Sequence, residues 1–186
     1  MATKNNRRIL VTKRILKESL LELMQEKPIS KISIKEICDL SEMSRSTFYI
    51  HYQDQFELLK DIEDEVLTRT FETLEGIDYS LDTIEYVEKF LNYVRSNKET
   101  FGVLLCQPGT EDFQNSIVSL VSQRVEASMP AVVNPKITRY YLSFVMHGTL
   151  NMIREWIKND FDIETGELSS FIYKSCQGVT LALTGH

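Results

Sequence analysis

The 186-residue sequence contains 7 Gly and 4 Pro, too few to punctuate the many short strands of a sandwich or barrel. Nor does any segment sustain the apolar–polar alternation of period two that a half-buried strand needs. Cysteine is sparse: Cys38, Cys106 and Cys176 are odd in number, far apart and without paired spacing. That set argues against a disulfide framework and against a zinc site, and the three read as small buried apolar residues. No run approaches roughly 18 consecutive apolar residues, the length that indicates a membrane span. The opening MATKNNRRILVTKR is basic but lacks the continuous apolar segment of a secretory signal, so the expected location is the cytoplasm.

Catalytic sets are missing as well. There is no GxSxG, no HExxH, no phosphate-cradling Gly-rich loop and no CxxC. His51, His147 and His186 are dispersed, and the carboxylates fall mostly on helix surfaces as solvated charge. Neither an enzyme nor a bound cofactor or metal is expected.

What is present is an ordinary globular share of hydrophobic residues, 42%, and a net charge of −6 spread unevenly. Residues 1–60 hold 11 Lys and Arg against 8 Asp and Glu, whereas 61–186 hold 10 against 19. A short basic head on a long acidic body hints at an anionic partner for the head.

Apolar residues recur at helical spacing over most of the chain. Residues 7–26 place Ile9, Leu16, Leu20, Leu23 and Met24 on one stripe. Pro28 ends that segment. SIKEICDL, 33–40, opens with Ser33 and has Glu36 three residues on, a capping box. After the break SEM, Ser44 offers an N-cap to a helix over 44–52. Further helices are expected at 53–75, 82–96, 97–106, 111–128, 136–159 and 167–184, which makes the fold all-α with about nine helices.

Helix 33–40, a three-residue break and helix 44–52 have the length and punctuation of a helix-turn-helix. At about 100° per residue, Phe48 and Tyr52 share the side that can pack on the neighbouring helices. Arg45, Ser46, Thr47, Tyr49, Ile50 and His51 then face outward or lie at the edges. Such a face suits a duplex: Arg pairs bidentately with guanine, hydroxyls reach bases or phosphates, and an apolar group meets a thymine methyl. Tyr and His can donate to phosphates, which fixes docking rather than sequence.

The run ISIKEICDLSEMSRSTFYIHYQDQFELL, 32–59, resembles the DNA-binding signature of the TetR/AcrR family of bacterial transcriptional regulators. NKETFGVLL, 97–105, and YLSFVMHGTLNMIREWIKND, 141–160, resemble the C-terminal domain of a Firmicutes-type branch of it. The resemblance implies a DNA-binding head over 1–54 and a regulatory and dimerisation domain over 55–186. It places base contacts on Arg45, Ser46, Thr47 and Ile50, and phosphate contacts on Ser33, Lys35, Tyr49 and His51. Two positions depart from the family pattern: Glu42 stands where a turn glycine is usual, and Gln55, beside Asp54, where a Lys is usual.

In the body, the resemblance favours a four-helix interface between two copies, carried by Tyr141, Gly148, Met152, Trp156, Phe171, Gly178 and Val179. Phe90, Tyr93, Phe101, Leu105, Phe113, Tyr140, Phe144 and His147 form the candidate lining of a pocket for a small apolar effector. The reading at this level is a homodimeric regulator, a repressor released from a palindromic operator by an effector. The alternative is an adaptor whose body docks another protein, with DNA binding secondary, and Glu42, Asp54 and Gln55 keep it open by removing positive charge near the head.

Overall fold

Nine α-helices and no strand make up the described residues, 4–74, 84–128 and 135–184, of the computed structural model. The first apolar stripe folds as α1 (Lys4–Glu26), which starts three residues earlier than the periodicity indicates. Leu16, Leu20 and Met24 are wholly buried, four residues apart and so stacked on one helix face. Ile9, expected on the same stripe, is exposed, because the first turns of α1 run past the core.

Pro28 leads into a 3-10 turn at Ile29–Lys31, and Ser33 caps α2 (Ile34–Leu40). The reciprocal bonding of a capping box forms there. The Glu36 N–H donates to Ser33 Oγ at 3.3 Å, and the Ser33 N–H donates to Glu36 Oε2 at 2.9 Å. The helix α3 (Arg45–His51) starts under Ser44, whose Oγ accepts the Thr47 N–H at 3.1 Å. At the start of α4 (Gln55–Leu74), Asp54 Oδ1 accepts the N–H groups of Phe56 and Glu57, both at 2.9 Å. Asp54 is therefore a helix cap as well as a negative charge.

The chain continues through α5 (Ile84–Ser96), α6 (Lys98–Cys106), α7 (Glu111–Ser128), α8 (Pro135–Lys158) and α9 (Thr165–Thr184). One large buried cluster joins Leu16, Leu20, Phe48 and Leu58 to Leu91, Phe101, Leu104 and Trp156. Each such side chain contributes about 1.5–3 kcal/mol by leaving water. Packing is thus continuous across residues 54 and 55, and α4 belongs to both halves. No helix among the described residues is long and apolar enough to cross a membrane.

Candidate nucleic-acid interface

The turn between α2 and α3 is built without glycine. Glu42 adopts φ +55°, in the left-handed region. Its N–H donates to the Asp39 carbonyl at 3.4 Å, and the Met43 N–H donates to the Cys38 carbonyl at 3.0 Å. These are the two bonds of a Schellman stop, with Met43 folded back against the buried cluster that includes Cys38. The bonds hold Glu42 in a backbone region costing roughly 1–2 kcal/mol for a residue with a Cβ. The same stop recurs after α8, where the Phe161 N–H donates to the Trp156 carbonyl at 2.8 Å and the two rings meet edge to face.

This turn sets α3 across α2 with its aromatic side inward. Phe48 is fully buried and Tyr52 nearly so, whereas Ile50 is 76% exposed and Tyr49 58%. Arg45 and Ser46 are exposed and Thr47 is half-buried. At the first turn, Ser44 Oγ lies 2.7 Å from Ser46 Oγ and 2.9 Å from Thr47 Oγ1, a cluster of three hydroxyls beside Arg45. The Tyr49 ring stands edge-on to Phe48, centroids 5.8 Å apart, which steadies it while leaving its hydroxyl end outside. The surface so made offers a cation, hydroxyls and one unpartnered apolar side chain.

Of the residues expected at phosphates, Lys35 is exposed and His51 half-buried beside Tyr52. Ser33 is exposed but engaged locally. Its hydroxyl donates to Glu36 Oε2 at 2.8 Å and its N–H donates to the same atom, so both of its donors are used within the cap. Lys27 pairs with Glu36 from the other side. The Lys27 contact, followed by the Ser33 N–H and hydroxyl, holds the Glu36 carboxyl at about 2.

Behind α3 lies a charged network that sequence reading did not find. Tyr52 donates its hydroxyl to Asp61 Oδ2 at 2.7 Å. Lys13 and Lys17 of α1 meet that carboxylate at 3.2 and 3.1 Å, and Lys17 also meets Glu65 at 2.8 Å. Burial pushes the Asp61 carboxyl up, but the Tyr52, Lys17 and Lys13 contacts outweigh it and leave it below its ordinary value. Burial, then the bond to Asp61, pushes the Tyr52 phenol up. No motif marks this set, because its members are spread over residues 13–65.

In the body, the residues expected to line a pocket and to form an interface each divide between buried and exposed positions. Phe101, Leu105 and Phe113 are fully buried and Phe90 and Tyr93 pack against them, with Phe101 edge-on to both rings. They are solid core. Tyr140 and Phe144 are 64% and 68% exposed, and His147 is exposed with Nδ1 2.8 Å from the Ser143 carbonyl. These three are directed outward and do not join the other five around one cavity.

The expected interface set divides in the same way. Tyr141 and Trp156 are buried within the chain, and Trp156 Nε1 donates to the Ile163 carbonyl at 2.8 Å. Met152 is half-buried. Phe171 and Gly148 are exposed, and a Cβ added at Gly148 would meet nothing within 4 Å among the described residues. The side chains at Gly178 and Val179 lie outside the described residues. The outward stripe of α8 is Ile137, Tyr140, Phe144 and Gly148, about a third of a turn from the buried one.

The TetR-type family model described as transcriptional regulator C-terminal region matches residues 82–178. The HTH-type transcriptional regulator YxbF of Bacillus subtilis (strain 168) is 26% identical over 96 residues, 48% of this chain and 25% of that protein. The chain thus matches about a quarter of that relative's length. A TetR transcriptional regulator from Streptococcus agalactiae superposes with a TM-score of 0.69 at 19% identity, over 92% of this chain and 97% of the other. A TetR-like regulator from Rhodococcus sp. RHA1 gives 0.69 at 17% identity, over 95% and 97%. At those identities the likeness is one of fold. The family model covers more than half of the sequence, and the chain belongs to the TetR family of transcriptional regulators.

Proposed function

We propose that the chain acts as a homodimeric repressor that grips a palindromic duplex operator with one recognition helix per half-site. Residues 1–54 serve as the DNA head and 55–186 as the regulatory and dimerisation part. The observation that carries this reading is Ile50, 76% exposed in the middle of a seven-residue helix whose opposite side is sealed by Phe48 and Tyr52. An apolar group so placed, with Arg45, Ser46 and Thr47 one turn before it, fits base edges in a major groove. Lys35, Tyr49 and His51 take the phosphate contacts, without Ser33.

The outward stripe of α8 supports pairing. Ile137, Tyr140 and Phe144, with Phe171 of α9, expose aromatic and aliphatic side chains, and α8 adds Gly148, which no described residue crowds. Apolar surface of this kind indicates a partner, and a two-fold copy would set two recognition helices about 34 Å apart, one turn of duplex.

Release follows from α4, which is shared by head and body. The expected apolar lining is filled by core. Two open grooves flank α4, one of about 440 Å³ beside Lys17, Asp61, Glu65 and Arg69, the other of about 590 Å³ beside Lys60, Asp112, Asn115 and Gln123. Both have charged and polar walls, so the effector in this reading is polar rather than apolar. To carry the head from 1:99 to 99:1 released it must prefer one state by roughly 10⁴-fold, about 5.5 kcal/mol.

Selection of binding sequences from random duplexes, followed by sedimentation of the complex, tests the reading. The expected product is a palindrome bound by two copies. Recovery of no preferred sequence, or of a single half-site bound by one copy, would overturn it and favour the adaptor alternative.

A further inference from the structure

The first 17 residues contain no acidic side chain, the first being Glu18, yet include Lys4, Arg7, Arg8, Lys13, Arg14 and Lys17. Tertiary structure divides these cations. Lys13 and Lys17 turn onto Asp61 and Glu65, and Arg14 lies 3.7 Å from Glu18. Arg7 and Arg8 are exposed and meet no carboxylate among the described residues. Around them, every position from Asn6 to Val11 is exposed, including Leu10 at 63% and Val11 at 42%. Two helical turns solvated on all sides gain nothing from packing, although packing is what stabilises most helices. Cations interleaved with uncovered aliphatic side chains suit a partner that is anionic and offers some apolar surface.

The ion pairs locate this segment. Lys13 and Lys17 both reach Asp61, and Lys17 reaches Glu65 one turn further on, so α1 and α4 run side by side in the same direction. Gln55, the first residue of α4, stands six positions before Asp61, and Arg7 stands six before Lys13. With the same rise of about 1.5 Å per residue on both helices, Arg7 and Arg8 come level with the start of α4. The C-terminal end of α3 is close by, since its C-cap Tyr52 stands three residues before Gln55, with its ring reaching back along α1 to within 5.0 Å of Lys13 Nζ. A duplex lying against Arg45 and Ile50 passes this end. Here Asp54 and Gln55 leave the first turn of α4 without a cation.

We propose that Asn6–Val11 of α1 is a second duplex-contacting surface, in which Arg7 and Arg8 engage the phosphate backbone flanking the half-site and Leu10 covers the adjoining sugars. The proposal rests on the DNA-binding reading above. It assigns to α1 the backbone charge that the first turn of α4 does not carry.

The test uses the full chain and two probes, a duplex selected by the unaltered protein and a duplex of mixed sequence. Log affinity is measured against log salt. Arg7→Ala with Arg8→Ala is expected to lower the slope by about 1.8 on both probes, at ~0.9 for each phosphate no longer neutralised, without changing the selected sequence. Trimming the flanks of the selected duplex is expected to weaken the unaltered protein and leave the double variant indifferent. An unchanged slope, or equal harm from trimming in both proteins, would overturn the proposal. So would a fall in sedimenting mass of Leu10→Gln without DNA, which would give the surface to a second copy of the chain. Far-UV circular dichroism should show both variants folded, as the altered side chains lie outside the core. If the unaltered protein selects no sequence, the recognition-helix reading fails, while the slope on the mixed duplex still decides this one.

Discussion

Tyr52, the residue that ends α3, donates a 2.7 Å hydrogen bond to Asp61 on the second turn of α4. The bond ties the element that would read DNA to the one that enters the body. Lys13 and Lys17 hold the same carboxylate, so α1, α3 and α4 meet at one charge.

Tyr52→Phe removes that bond and nothing else. The phenyl ring keeps its place against Phe48, and Asp61 keeps its two lysines. Loss of a bond to a charged acceptor that is one-third exposed should cost about 1–2 kcal/mol in urea unfolding. Asp61→Asn in the same background should add less than it does alone, because the two share one interaction. Full additivity would show that the bond contributes nothing.

Glu36 gives the head an acid sensitivity. Its carboxyl sits at about 2 in the folded chain and would return to its ordinary 4.5 on unfolding. A depressed acid stabilises above its unfolded value and stops doing so as pH falls through the folded one. Stability should therefore decline between pH 4.5 and about 2, and Glu36→Gln should flatten that part of the profile. Parallel profiles for the two proteins would show that the Lys27 and Ser33 contacts do not act on the carboxylate in solution.

Glu42→Gly should stabilise the protein by about 0.5–1 kcal/mol. It relieves a left-handed residue of its Cβ, a gain of roughly 1–2 kcal/mol, reduced by the greater freedom of glycine in the unfolded chain. Glu42→Ala keeps the Cβ and should give no such gain. A shift in thermal midpoint for the alanine variant equal to that of glycine would mean that charge, not backbone, is responsible.

Arg45→Ala should cost about 1–3 kcal/mol of operator affinity and relax discrimination at one base pair, whereas Lys35→Ala should weaken all duplexes alike. Binding titrations against single-base variants of a selected duplex separate the two. Uniform weakening by both would remove Arg45 from the base-reading role.

Phe144→Asp and Trp156→Ala should fail in different ways. Phe144 is 68% exposed, so its change should leave the unfolding free energy of the monomer within about 0.5 kcal/mol and halve the sedimenting mass. Trp156 is buried against Phe161, and truncating it should cost about 3–5 kcal/mol. A stable Trp156→Ala monomer would return that residue to the interface.

The helices and their stops were legible because each depends on neighbours in sequence. Ser33 with Glu36, and Ser44 with Thr47, satisfy backbone donors three residues away, and that spacing alone reveals them. Phe48 and Tyr52 were placed correctly for the same reason: a seven-residue helix with one aromatic side has one way to hide it. α8 was harder. It carries two apolar stripes, Tyr141, Val145 and Trp156 on one and Ile137, Tyr140 and Phe144 on the other, and a helical wheel scores them alike.

The amino-acid sequence by itself determined an all-helical chain, the helix-turn-helix and the side of α3 left to solvent. Local periodicity and capping act within a turn or two and do not depend on distant contacts. Only the tertiary structure decided which stripe of α8 is buried, that Phe101 and Phe113 fill space rather than line it, and that Asp61 gathers Tyr52, Lys13 and Lys17. Those outcomes turn on which surfaces meet across tens of residues, and packing chooses among faces that are equally apolar in the sequence.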